Sequence, residues 1–214
     1  MQLCSPMLPV GAYAYSQGLE FAVSSDWIKD ENTTSMWVQG ILVNALANLD
    51  VPVLSRLHKA WSINDNKNVL YWNDYLFASR DSSELQAEEQ QMAQALSRLL
   101  GDLGISEAVE WSKNSRACFL TLFSLGTAHW KIPVHDASWG YVWMWAENQV
   151  LAAIKLVPIG QTSGQKILSS VIEIIPGLVS TGLSLKDGGI GYTAPGQGIA
   201  SALHETQYTR LFRS

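Results

Sequence analysis

Several short stretches carry residue types that could do chemistry, and each stops short of a working set. AYSQG, residues 14–18, imitates the turn that lifts a nucleophilic serine, here Ser16. It has alanine at the first glycine position and follows no strand pattern, so a turn near a helix start is expected instead. GQTSGQK, residues 160–166, imitates a phosphate loop. Its glycines are too close together, and no Ser or Thr follows Lys166 to reach magnesium. A turn after Pro158, with Thr162 or Ser163 capping the next helix, accounts for it. GIGYTA, residues 189–194, has dinucleotide-loop spacing, but Pro195 stands where a helix should open and no strand precedes it. His204-Glu205 would begin a zinc-protease helix if a second histidine stood four residues after the first; that position is Tyr208.

Metal ligands fare no better. His58, His129 and His135 have no carboxylate or cysteine at ligand spacing and read as satisfied or surface histidines. Cys4 is a weak candidate for transient contact with a soft metal, against the plainer reading of a small buried hydrophobe. Glu88 and Glu89, side by side on one helix, read as a solvated face. With no nucleophile, base or metal set, the chain is expected not to be an enzyme. The residues that stand out are apolar, aromatic or arginine in exposed-looking segments, the types enriched at binding hot spots.

Composition points the same way. Charged residues make up 15% of the chain and there are nine tryptophans, whereas soluble domains carry roughly 25% charge. Interface cores are poor in charge and rich in aromatics, so this surface is expected to lose area to partners. A net charge of −5 argues against a nucleic-acid partner, which needs phosphate-neutralising cations. No run of about 18 apolar residues is visible, so no membrane span is expected. The opening MQLCSPMLPVG lacks a basic segment and is broken by Pro6 and Pro9, a poor signal peptide. Two cysteines, Cys4 and Cys118, make no disulfide framework and fit a reducing cytoplasm.

The elements that must position these residues are helices, because the apolar period is helical nearly everywhere. Val38, Leu42, Leu46 and Leu49 share a face over 34–49. Pro52 suits the first turn of the next helix, with Val53, Leu57, Ala60 and Trp61 inward. Val69, Trp72 and Leu76 mark a third. Asp81 is a candidate N-cap, with Glu84 three residues on and Leu85, Met92, Leu96 and Leu99 as the buried stripe ending at Gly101. Residues 106–130 are helical, in one or two pieces. Asp136 can cap a long helix to about Leu156, stopped by Pro158. A last stripe, Ile167, Leu168, Val171 and Ile175, is expected to close at Pro176. The expected fold is an all-α, single-domain multi-helix bundle. Its parts are an ordered N-terminal loop (1–18), a helical core (34–175), a flexible connection (176–203) with seven glycines between 176 and 198, and a tail (204–214).

Four stretches carry a resemblance. LCSPMLPVGAYAYSQGLEFAV (3–23), ASRDSSELQAEEQQM (78–92), KLVPIGQTSGQ (155–165) and HETQYTRLFRS (204–214) resemble, in order and spacing, the urease accessory protein family UreF. The match runs the length of the chain. It begins almost at Met1, without the few leading residues common in the family. Gln86 stands where a second arginine is common, and Ala93 where glycine is common.

The resemblance implies an all-helical, dimeric, cytoplasmic maturation factor without catalysis of its own. Its implied partners are UreD (called UreH in some organisms), the GTPase UreG and apo-urease. It would recruit the GTPase and couple its nucleotide cycle to nickel insertion. Nickel and GTP would belong to the assembly, with no cofactor held stably by this chain. A nickel-binding metallochaperone in its own right is the alternative.

Within that frame the tail is expected to be disordered or loosely packed in the free protein and to order against UreD, the alternative being a tail packed on its own bundle. Tyr208, Leu211 and Phe212 would be buried, Arg210 and Arg213 would pair with carboxylates or carbonyls, and His204 and Glu205 would open the segment. In the loop, Pro9, Gly11, Tyr13, Tyr15, Ser16 and Gly18 are expected to form either a rigid core-facing turn or part of a GTPase-facing surface, with Pro9 and Gly11 setting backbone geometry and Tyr15 contacting the GTPase. Arg80 and Glu84 read either as a helix-cap network or as a salt bridge to a partner.

Overall fold

Short helix α1 (Leu19–Ser24) is followed by Asp30, which opens the longest helical run of the chain. The Asp30 carboxylate accepts from the Thr33 N–H at 2.8 Å, and the Thr33 hydroxyl accepts from the Asp30 N–H at 3.1 Å. Two donors that a helix start leaves free are thereby met. A computed structural model describes residues 2–214, and Met1 lies outside them. Among the described residues every extended element is helical and no strand occurs.

The run passes without a break from α2 (Glu31–Ile41) through a π-helical segment (Leu42–Asp50) into α3 (Val51–Ser62). The sequence suggested two separate helices, with Pro52 in the first turn of the second. Pro52 does stand in the first turn of α3, but that helix continues the run from the π segment without a break. Pro52 supplies no N–H to the preceding turn, and the Asn48 carbonyl accepts the Gly191 N–H at 3.1 Å instead. The widened turns also admit close packing. A Cβ on Gly182 would meet the Ala47 carbonyl oxygen at 2.8 Å and Val51 Cγ1 at 2.6 Å, so only glycine fits there.

Helices α4 (Asn66–Ala78), α5 (Ser83–Asp102), α6 (Ser106–Trp111), α7 (Phe119–His129), α8 (Val134–Leu156), α9 (Gln161–Ser184) and α10 (Pro195–His204) complete the fold. Helix α7 is buried on nearly all sides and packs chiefly against α3 and α5, while α8 and α9 pair along their length. The stripes expected from periodicity form the core: Val38, Leu57, Trp61, Leu76, Leu96, Ile167 and Val171 are all buried. Leu99 is only half-buried, and Leu100 takes its place. Each fully buried leucine contributes about 1.5–3 kcal/mol relative to exposure. The two helical stretches Glu31–Ser62 and Gln161–Ser184 are long and apolar enough to cross a membrane by length and composition. Both are packed members of this bundle.

Several boundaries differ from expectation. Ser82, not Asp81, caps α5, its hydroxyl accepting from the Leu85 N–H at 3.1 Å. Pro133 holds the cap position of α8, which leaves Asp136 within the first turn. Gly160 precedes α9 without a side-chain cap, so neither Thr162 nor Ser163 serves. Pro176 does not end α9, which continues to Ser184. Pro176 and Ile172, the residue four before it, are both exposed, so the carbonyl left without a donor faces water.

The 176–203 segment is therefore mostly helix, and its connecting stretch is pinned. The Tyr75 hydroxyl donates to the Ile190 carbonyl at 2.8 Å, and Arg56 bonds Asp187 at 2.9 Å and also the Leu185 carbonyl.

Candidate functional site

The tail, 204–214, lies against α1, α5 and the N-terminal loop. Three carboxylates from the body hold it. Glu20, one residue into α1, accepts the Leu211 N–H at 2.7 Å and the Phe212 N–H at 2.8 Å. Glu84, in the first turn of α5, accepts from Arg210 at 2.7 Å. Glu88, one turn further, accepts the Ser214 hydroxyl at 2.9 Å. His204 lies between the first two, with Nδ1 2.7 Å from Glu84 and Nε2 3.3 Å from Glu20. A ring with a carboxylate on each side donates to both only when each nitrogen carries hydrogen.

The backbone oxygen of Ser214 accepts from the Ser16 N–H at 2.7 Å and the Gln17 N–H at 3.1 Å, and also from the Ser16 hydroxyl. Phe212 is 6% exposed and closes a small cluster with Leu19, Ala22, Ile28, Ala152, Ala153, Val157 and Ala200. Lys155 stands 5.5 Å over its ring. The expectation of a loosely packed tail is thus corrected: His204, Phe212 and Ser214 are anchors in the body of the fold. Glu205 is also internal in its bonding, accepting from Ser83 at 2.9 Å and 2.7 Å, and those bonds hold its carboxyl below the usual range. Tyr208 and Leu211 are the opposite case, 102% and 66% exposed.

The loop residues divide in the same way. Ser16 is wholly buried and bonded to the tail. Gly18 has φ +83°, and a Cβ there would meet the Ser201 nitrogen at 2.7 Å, so it lets α1 abut α10. Gly11, at φ +76°, has open space around it. Tyr15, expected as a contact residue, is 4% exposed and donates to Gln91 at 2.7 Å. Its neighbour Tyr13 is the exposed one, at 70%. Pro9 is exposed beside it and, with Gly11, Tyr13, Gln91, Arg98 and Arg213, lines a groove of about 650 Å³. Arg213 donates to Gln91 at 3.2 Å, and neither Arg98 nor Arg213 has an acidic partner among the described residues.

Beneath the clasp lies a polar network that sequence reasoning missed. Arg80 pairs with Asp50 at 2.7 Å and with Glu89 at 2.6 Å; Tyr141 donates to Asp50 at 2.8 Å, and the Phe119 N–H donates to Glu89 at 2.7 Å. Burial alone would lower the Arg80 guanidinium, but Asp50 and Glu89 hold it well above its ordinary value. Arg80 is accordingly an internal tie. Glu88 and Glu89, expected on a solvated face, are both buried. Burial pushes the Glu88 carboxyl from 4.5 to about 7, against the pull of its bonds from Gln17 and Ser214. Together with Asp50, Arg80, Gln17, Gln197 and Met92 these residues line a cavity of about 80 Å³. No sequence signal marked Glu88, whose partner Ser214 is 126 positions away.

Among the described residues no three His, Cys, Asp or Glu side chains gather as metal ligands. Cys4 is half-buried, its Sγ seated where a Cβ on Gly140 would stand, and burial raises its thiol. His58 bonds the Ile132 carbonyl at 2.9 Å.

The model of the UreF family matches residues 28–172. The urease accessory protein UreF of Alkalilimnicola ehrlichii is 48% identical over 213 residues, covering 100% of this chain and 93% of its own. The chain belongs to the UreF family. The UreF proteins of Teredinibacter turnerae and Hahella chejuensis, 43% and 41% identical over 214 residues, each match 100% of this chain and 96% of their own. The anchors of the clasp at Glu20 and Ser214 fall outside the 28–172 span of the UreF family model, while Glu84 and Glu88 fall inside it.

Proposed function

We propose that this UreF-family chain is a non-enzymatic urease maturation factor of the cytoplasm. It acts as a scaffold that, with UreD and the GTPase UreG, helps nickel enter apo-urease. The observation that carries the reading is the division of the tail: anchored at His204, Phe212 and Ser214, it presents Tyr208 and Leu211 to solvent. Ile199 and Leu203 on α10 are exposed as well, at 54% and 44%. Large apolar side chains held out on a fixed backbone lose little further conformational freedom on docking. UreD is the occupant proposed for this face.

The basic, aromatic groove of Tyr13, Arg98 and Arg213 is the surface proposed for UreG, with Tyr13 replacing Tyr15 as the contact. A second copy of the chain is proposed to pack on the face that exposes Met36, Val43 and Ile172, on helices packed against one another. Nickel and GTP are assigned to the assembly.

Co-expression with UreD and UreG tests this. Tyr208→Ala/Leu211→Ala is expected to lose UreD while keeping the thermal transition of the parent. Tyr13→Ala/Arg213→Ala is expected to keep UreD and lose UreG. Retention of both partners by both variants would refute the assignment of these faces.

A further inference from the structure

On a different part of the molecule, α3, α4 and α6 enclose a groove of about 290 Å³ lined by Trp61, Asn66, Leu70, Glu107, Glu110, Trp111 and Asn114. The walls are of two kinds. Trp61 and Trp111 meet edge to face with centroids 5.8 Å apart and planes at 69°. The Trp61 N–H donates to the Thr121 carbonyl at 3.1 Å, which fixes its ring and keeps its polar edge turned inward. Leu70, 49% exposed, adds an aliphatic side on α4.

The remaining walls are acidic. Glu107 and Glu110, three residues apart on α6, lie on one side of the helix. Both are exposed, and neither takes part in an ion pair among the described residues. Glu107 accepts only the adjacent Ser106 hydroxyl, at 3.2 Å. No Lys, Arg or His lines the groove.

Elsewhere, Asp50 and Glu89 meet Arg80, and Glu84 meets Arg210. Here two carboxylates flank two indoles with no cation paired to them among the described residues. Aromatic faces attract ammonium and guanidinium groups, and the long aliphatic stem of such a side chain suits Leu70.

We propose that this groove binds a lysine or arginine side chain carried on a segment of a protein partner, with the cation between Glu107, Glu110 and Trp111 and its stem along Leu70. The site goes beyond the tail and loop surfaces and does not depend on which partner uses them.

The test is a titration of the full chain, nitrogen-15 labelled, followed at the Trp111 indole N–H, whose signal is assigned with Trp111→Phe. The probes are the blocked tetrapeptide Ala-Lys-Leu-Ala and the same peptide with glutamine in place of lysine. The lysine peptide is expected to shift the signal saturably at low-millimolar concentration, at least ~5-fold more tightly than the glutamine peptide. Glu107→Gln/Glu110→Gln, two exposed and unpaired positions, is expected to abolish that preference with the rest of the spectrum unchanged. Equal response to both peptides, or no saturable shift by about 10 mM, would overturn the proposal. So would a Trp111 shift on raising the protein concentration alone, which would make a second copy of the chain the occupant.

Discussion

Glu88→Gln isolates one buried proton and asks what it is worth to the fold. In the folded chain the carboxyl is sealed between Gln17 and Ser214 and keeps its proton to about 7, against an ordinary value of 4.5. A group whose folded value is raised contributes stability that is whole below 4.5 and falls as pH rises through 7. At about 1.4 kcal/mol per tenfold change in proton affinity, the wild type loses on the order of 2 kcal/mol between pH 5 and pH 8 from this residue. A glutamine amide still accepts from Gln17 and meets the Ser214 hydroxyl, but carries no charge to bury. Urea unfolding followed by circular dichroism at pH 5 and pH 8 reads the difference. The gap between the variant and the wild type is expected to move in the variant's favour by about 2 kcal/mol as pH rises. Stability curves for the two proteins that run parallel across this range would refute the account of a sealed, protonated carboxyl.

Further outcomes follow from the same contacts. Phe212→Ala should cost about 3 kcal/mol of tail docking, seen as faster limited proteolysis near Arg210 without loss of helical circular dichroism from the body. Gly18→Ala, at φ +83° against the Ser201 nitrogen, should lower the thermal midpoint well beyond Gly11→Ala, which has open space; Gly11→Ala should cost only about 1 kcal/mol. Arg80→Met leaves Asp50 and Glu89 buried without a cation and should destabilise by roughly 3–5 kcal/mol in denaturant titration.

The helical stripes were legible in the sequence because burial repeats with the helix period: Leu57 and Trp61, or Ile167 and Val171, lie one turn apart and face the same way. Family membership was legible from four spaced motifs. The clasp was not. Glu88 and Glu89 look like a solvated pair until Gln17 and Ser214 are laid over one and Arg80 and the Phe119 N–H over the other. Those partners are 71, 126, 9 and 30 positions away, and most of them leave no local trace. Pro176 misled for a different reason. A proline inside a helix removes one backbone bond and crowds the carbonyl four residues back; here both Pro176 and Ile172 are exposed, so water can serve the freed carbonyl. Tyr13 and Tyr15 alternate in exposure within one turn of loop, which a count of tyrosines does not resolve.

The hydrogen bond from Ser16 to Ser214 joins positions 198 apart, and this sets an order of events as the chain is made. Translation delivers residues from the N-terminus onward, and loop closure over such a span must await its far end. Until the last turn of α10 and the tail leave the ribosome, Glu20, Glu84 and Glu88 stand beside empty slots, and the apolar cluster of Leu19, Ile28 and Val157 lies open. The bundle of α3, α5 and α7 has its own contacts by then. Until then the tail groove is unoccupied, and the surface that the finished molecule covers with its own tail is open.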